Sequence, residues 1–274
     1  MTAVNDMLIA GFDALCWPLR RLPALWALTL VSSVVGILAV WALGRLSNQE
    51  AIRRVRTRIS GNVLGLRLFR RDVGVVLGLQ RRILRDTLQY MAQLTIPALV
   101  VLGPVALVMA QLDLRFAVRP LRPGETALVT VRVRDRAALN GSVRLEAPAG
   151  VAIETPGVRV ADRREVTWRV RALDAGVHAL SVSIAGDEAV TKQLAAGADW
   201  GVVPRTRTGL GAVDQLLHPG EAPIAPDRTV EAIEVGYPPL DLELFGWRFG
   251  WLTAFLLTSL ASGLAAKGLL GVAL

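Results

Sequence analysis

Eleven arginines, no lysine and three acids fall within the 42 residues from Arg45 to Asp86. A guanidinium is a planar fork of donors that pairs bidentately with phosphate oxygens, which an ammonium does less well. Arg53, Arg54, Arg56, Arg58, Arg67, Arg70, Arg71, Arg81 and Arg82 are therefore candidate contacts for an anionic partner. Ribosomal RNA, anionic lipid headgroups and an acidic cytosolic protein all have suitable chemistry. Anionic lipid accounts for Arg45, Arg81, Arg82 and Arg85, which lie beside apolar stretches. It accounts less well for Arg67, Arg70 and Arg71, which lie farthest from them.

A second set of polar side chains is uncharged and sits inside apolar stretches. Thr29, Ser32, Ser33 and Gly36 share one side of a first helix, and Thr258, Ser259, Ser262 and Gly263 share one side of a third. Gln93 and Thr95 stand near one end of the second. Two uses are open for them. Small residues allow helices to pack closely, or the hydroxyls and amides line a weakly hydrophilic groove.

Reaction chemistry has little support. His178 and His218 have neither a cysteine nor paired carboxylates at metal-ligand spacing. Nucleophile-elbow, phosphate-loop and zinc-helix motifs are missing, and Gly209-Leu210-Gly211 lacks the third glycine of a dinucleotide fingerprint. The chain is expected to be no enzyme and to use no cofactor or metal.

The elements that carry these residues follow from hydropathy. The chain is 53% hydrophobic with mean hydropathy +0.44, yet 20% charged, so apolar and charged residues must be segregated. Uncharged stretches cover 24–43, 87–112 (most apolar over 91–112) and 249–266. A helix needs about 20 such residues to cross a bilayer core of about 30 Å. No charge lies inside them, which leaves no intramembrane ion pair.

Charge then sets orientation. The 45–86 segment has a net charge of +8, whereas 113–247 carries sixteen bases and eighteen acids. Arginine-rich loops stay cytoplasmic. The pattern predicts an outside amino terminus, a cytoplasmic 45–86 segment, an outside 113–246 region and a cytoplasmic carboxyl terminus. The first stretch carries its positive charge after the apolar core and lacks a small-x-small site before the arginines, so it is expected to be retained and not cleaved as a signal peptide. Cys16, the single cysteine, leaves the outer region without a disulfide.

Within 1–23, Leu8, Ile9, Phe12, Leu15, Cys16 and Leu19 recur at helical spacing. They predict a short amphipathic helix, either lying on the outer membrane surface or packed on the outer region. Ser47 followed by Glu50 is a capping box, after which Ile52, Val55, Ile59, Val63 and Leu66 form one apolar stripe. A break near Phe69–Asp72 precedes a second stripe of Val73, Val76 or Leu77, Gln80, Ile83 or Leu84, and Leu88. Two stripes joined by a turn predict an antiparallel, coiled-coil-like hairpin. Pro97 and Gly103-Pro104 are expected to interrupt the stretch that follows.

Residues 126–194 alternate instead. Ala127–Val133, Ser142–Glu146, Glu165–Arg171 and Val177–Ile184 read as strands with turn residues between, and Thr229–Val235 adds one more. The spacing predicts an antiparallel β-sandwich of the immunoglobulin-like kind, of about seven strands, with Trp168 in its core. A Gly/Pro-containing extension fills 195–225, and Trp247 and Trp251 are placed as interfacial anchors of the third span, 247–268.

The order of these parts resembles the YidC/Oxa insertase superfamily. It is most similar to the three-span branch that includes the third subunit of the ER membrane protein complex and its prokaryotic relatives. The residues that carry the resemblance are Ser47-Asn48-Gln49 opening the hairpin, Arg67 to Asp72 at its turn, and Gln89-Tyr90 through Pro97 and Pro104. Arg119-Pro120-Leu121 and Pro123-Gly124-Glu125 follow at the exit. The resemblance implies a membrane-protein insertase or chaperone with a cytoplasm-facing groove among three spans. It also implies a basic hairpin that contacts the ribosome or a nascent membrane protein, here in a bacterial cytoplasmic membrane. The alternative is a membrane-anchored scaffold subunit whose periplasmic β-sandwich binds an envelope protein.

Overall fold

The computed structural model describes residues 2–47, 49–68, 73–141, 143–184, 187–197, 200–209, 211, 219–244 and 246–270. Its chain order is α1 (Thr2–Cys16), α2 (Ala24–Leu46), α3 (Gln49–Leu68) and α4 (Val73–Phe116), then eleven strands, then α5 (Trp251–Leu270). Among the described residues, three helices are long and apolar enough to cross a membrane: Ala24–Leu46, Leu77–Phe116 within α4, and Trp251–Leu270.

α4 runs unbroken through Pro97 and Pro104. The expected interruption does not occur. Each proline forfeits a helical hydrogen bond, but leaving the helix in an apolar medium would strand more backbone groups than it frees.

The strands are β1 (Thr126–Val133), β2 (Val143–Glu146), β3 (Val151–Ile153), β4 (Val158–Val160), β5 (Glu165–Ala172) and β6 (Gly176–Ile184). They continue as β7 (Val190–Ala196), β8 (Thr206–Thr208), β9 (Val230–Val235), β10 (Leu242–Leu244) and β11 (Trp247–Phe249). Every named pairing is antiparallel. One six-stranded sheet has the order β3-β5-β1-β9-β8 with β4 also paired to β5, a second is β2-β6-β7, and β10-β11 forms a two-stranded ribbon. The predicted strands fall on β1, β2, β5, β6 and β9; Ser142 lies outside the described residues. The count exceeds seven because β3, β4, β8, β10 and β11 have three residues each, too short for alternation to register; β7, with seven residues, was missed, and it and β8 reach into the span expected to be an extension.

Alternation sets the core. Val129, Val131, Trp168 and Val170 from the larger sheet join Leu145, Leu180, Val182 and Leu194 from the smaller in one buried cluster. Trp168 is seated over Gly157, where a Cβ would come within 2.8 Å of the indole.

The chain forms two compact units. One combines residues 1–28 with 107–254, and the other combines 29–106 with 255–274. In the first, buried Arg115 near the end of α4 holds α1. Its guanidinium donates to Asp13 Oδ1 at 2.7 Å and to the Gln111 carbonyl and side-chain oxygens, both at 2.9 Å. It also lies over the Phe12 ring. α1 thus belongs to the packed unit while Met7, Leu15 and the following Trp17 stay exposed.

Candidate functional site

In the second unit, α2 and α5 meet through their small residues. A Cβ on Gly36 would fall 2.1 Å from the Ser259 carbonyl oxygen, and one on Gly263 would fall 2.9 Å from Val40 Cγ2. Only glycine permits that approach. Ser32 is fully buried, while Thr29, Ser33, Thr258, Ser259 and Ser262 are partly covered. Their hydroxyl donors turn back on their own helices: Ser33 to the Thr29 carbonyl at 2.8 Å, Ser262 to that of Thr258 at 2.6 Å, and Ser259 to that of Leu256 at 3.2 Å. The predicted polar faces of the first and third spans are therefore brought together at Gly36, Ser259 and Gly263.

The second span differs. Thr95 is exposed and donates to the Met91 carbonyl at 2.8 Å. Gln93 is partly covered, and its buried Oε1 has no hydrogen-bond partner among the described residues. Of the most apolar stretch of this helix only 6% is buried within the chain, against 28% for α2.

The hairpin face of α4 includes Ile83 as expected but departs from expectation at Gln80 and Leu88. Its less exposed positions are Leu79, Ile83, Asp86, Tyr90, Gln93 and Pro97, alternately three and four residues apart, whereas Leu77, Leu84 and Leu88 face outward. The expected stripe is displaced because Asn62 on α3 offers Asp86 a donor: Nδ2 reaches Asp86 Oδ2 at 3.2 Å. Asp86 is nearly fully buried, with its Oδ1 3.9 Å from Arg85 Nε and without a hydrogen bond among the described residues. A polar residue at a seam position fixes register at some expense in stability. On α3, Val55 is buried and Ile59 half-buried as expected, while Val63 is exposed.

Arg54, Arg58, Arg81 and Arg82 are exposed on the hairpin, and Arg54 Nε reaches the Glu50 carbonyl at 3.3 Å. Arg53, Arg56 and Arg67 fall on α3, but their side chains are outside the described part. Arg70 and Arg71, like Asn48 in the capping box, lie outside the described residues.

The outer unit contains a polar cluster that the sequence reading missed. Lys192, wholly buried in β7, donates to the Pro204 carbonyl at 2.6 Å and pairs with Glu221. Glu221 also accepts from the Gln193 N–H at 2.7 Å. Burial pushes the ammonium below its ordinary pKa, and the Glu221 charge opposes that shift. Nearby, the Ala195 N–H donates to Tyr237 Oη at 2.9 Å, and burial raises that phenol. The available signal was one of two lysines in the chain, standing at an inward position of an alternating strand.

These groups tie Pro204 and Glu221 to β7. His178 is partly exposed, with Nε2 3.0 Å from the Asp174 carbonyl oxygen; His218 lies outside the described residues. Among the described residues, no three His, Cys, Asp or Glu side chains gather as a metal site.

No family model, curated protein or solved structure matches this chain.

Proposed function

We propose that this chain is an insertase-like chaperone for membrane proteins in a bacterial cytoplasmic membrane. Ala24–Leu46, Leu77–Phe116 and Trp251–Leu270 cross the bilayer. Three crossings put residues 1–23 and 117–250 on one side and the 47–72 region on the other. The arginines select the cytoplasm for the hairpin. The β-rich region then stands outside as an immunoglobulin-like sandwich, and the exposed arginines meet the ribosome or a nascent chain.

One observation carries this reading. α2 and α5 are joined at Gly36 and Ser259, whereas the apolar stretch of α4 is left almost uncovered and bears Gln93, whose buried acceptor has no hydrogen-bond partner among the described residues. An unpaired buried acceptor costs about 1–3 kcal/mol. Water or an entering backbone N–H would relieve it. A partly uncovered set of three helices with such an acceptor near a basic hairpin supports transient acceptance of a polypeptide.

The test is insertion of a small, ribosome-synthesised membrane protein into liposomes with and without the purified chain, scored by protease protection. The chain is expected to raise the yield, and Gln93→Leu and Arg81→Gln/Arg82→Gln to lower it. A yield equal to that of empty liposomes would sink the proposal.

The scaffold reading has its own support in β4, which among the described residues pairs with β5 alone and exposes Val158 and Val160. An apolar short strand of this kind suits addition of a partner strand. A stoichiometric envelope protein that copurifies with the full chain and is lost on Val158→Lys would favour it.

A further inference from the structure

A cavity of about 930 Å³ opens within the unit formed by residues 1–28 and 107–254, and four guanidinium side chains line it: Arg20, Arg21, Arg119 and Arg122. Its volume lies within the range of small-molecule sites. Two chain segments bring the arginines together. Arg20 and Arg21 end the short 3₁₀ turn before α2. Arg119 and Arg122 follow α4 on a segment tied down by the Arg119 N–H to the Pro238 carbonyl at 3.1 Å and the Leu240 N–H to the Ala117 carbonyl at 3.2 Å.

Trp200 supplies an aromatic wall. Its indole stacks on Phe116 with centroids 5.0 Å apart, and its Nε1 donates to the Leu22 carbonyl at 3.2 Å. Arg119 and Trp200 are half-buried, while Arg20, Arg21, Arg122 and Asp241 are exposed around the cavity.

Charge identifies the ligand class. Asp241 is the one carboxylate among the described lining residues, Asp13 lies 3.9 Å from Arg20, and Glu125 grips Arg119 through two hydrogen bonds of 2.8 and 2.9 Å. With Arg115, which holds Asp13 at 2.7 Å, five guanidinium groups stand against three carboxylates among the described residues. Guanidinium forks in such an array pair with phosphate oxygens.

Position identifies the source. Ala24, the first residue of α2, lines the cavity, Arg119 lies three residues beyond the end of α4, and Trp17 and Trp26 are exposed nearby in sequence. Span ends flanked by tryptophan lie at headgroup depth.

We propose that this cavity holds the phosphodiester of an anionic phospholipid headgroup in the outer leaflet, an inference that rests on the membrane crossing proposed above. The full chain would be reconstituted in nanodiscs of equimolar phosphatidylcholine and phosphatidylglycerol, extracted in detergent, and its retained lipid counted by native mass spectrometry.

One phosphatidylglycerol per chain is expected, falling about tenfold or more in Arg21→Gln/Arg122→Gln, the loss expected from removing a charge-assisted contact. Arg144→Gln/Arg169→Gln, exposed on β2 and β5 and absent from the cavity lining, is expected to leave retention unchanged. Asp241→Asn removes an opposing charge and should retain at least as much lipid as the parent. Equal retention by the parent and the cavity variant would overturn the site, as would equal retention of phosphatidylcholine or equal loss in the strand variant. Displacement of the lipid by millimolar inorganic phosphate would overturn the lipid source in favour of a free phosphate, and persistence would support it. Carbonate extraction separates the premises. Release of the chain from membranes would sink the crossing itself, whereas carbonate-resistant protein without retained lipid would sink only the cavity assignment.

Discussion

Val131 of β1 and Val100 of α4 are the same side chain in opposite surroundings: 0% and 54% exposed, respectively. Val131 is covered by its own chain, along with a cluster drawn from two sheets. Around Val100, Ile96, Leu99 and Leu102 are exposed as well. Burying a side chain of this size is worth about 1.5–3 kcal/mol, and a water-facing patch of such residues would be an association surface. The β-rich region therefore covers its own apolar side chains, while α2, α4 and α5, long and apolar enough to cross a membrane, leave many of theirs uncovered by the chain. The same residue types mark a folded core in one region and an uncovered apolar face in the other.

The comparison predicts very different responses to truncation. Trp168→Ala is expected to destabilise the protein by about 3–5 kcal/mol, as removal of a buried aromatic does. Leu99→Ala, at a position 62% exposed, should change stability in detergent by less than about 0.5 kcal/mol. Urea midpoints of the detergent-solubilised chain measure both. Similar losses at the two positions would mean that α4 is packed and the contrast is false.

Lys192 tests whether the self-sufficient region tolerates an unpaired charge. Glu221→Ala leaves a buried ammonium with only the Pro204 carbonyl and is expected to cost about 3–5 kcal/mol. Replacing both partners, Lys192→Met with Glu221→Leu, should recover most of that loss, because the penalty belongs to the uncompensated charge. A double variant no more stable than Glu221→Ala would assign the pair a role beyond charge compensation.

In the helices, the decisive residues are the smallest. Gly36→Ala would drive a methyl into the Ser259 backbone and should destabilise the α2–α5 contact by about 1–3 kcal/mol. Gly103→Ala meets nothing within 4 Å, so helix propensity alone should stabilise it by about 0.5–1 kcal/mol. Thermal loss of helical dichroism in detergent reports both. A Gly36 variant that melts with the parent would show that the two helices separate without penalty.

Elements with a strong period were legible in the sequence. The three apolar helices, the inward Trp168 and strands β1, β5 and β6 follow from length or alternation alone. The hairpin seam was not, because its positions are set by a contact between helices. Asp86 falls off the expected stripe, Gln93 reads as a groove or packing residue of the second span, and the exposed Leu88 reads as part of the seam. Arg115 was hidden for the same reason, since its partners Asp13 and Gln111 come from α1 and α4. Gly36 and Ser259 were recognised as small, but only geometry reveals that they touch. Pairwise chemistry between distant segments leaves no trace in a single periodic pattern.

The last prediction concerns acid. The Glu125 carboxylate accepts from both Arg119 terminal nitrogens and from the Arg122 N–H at 3.0 Å, across a turn in which Gly124 adopts φ +90°. The Arg119 hydrogen bonds, followed by the Arg122 backbone donor, hold its pKa at about 2, below the ordinary 4.5. A depressed folded pKa means that the folded state binds fewer protons. The stabilisation is therefore complete above pH 4.5 and is lost as pH falls towards 2. A third of the side chain remains exposed, so solvent screening limits the effect to about 1 kcal/mol. Glu125→Gln should lower the stability of the β-rich region by that amount near neutral pH. The gap between variant and parent should shrink below pH 4.5 and vanish near pH 2. The same variant should leave the Gly36–Ser259 contact unchanged, because Glu125 belongs to the other compact unit. Urea midpoints across this range, read beside helical melting, decide the matter: a pH-independent gap would mean that Glu125 acts through shape, and a gap that appears in the helical melt would remove the distinction between the two regions.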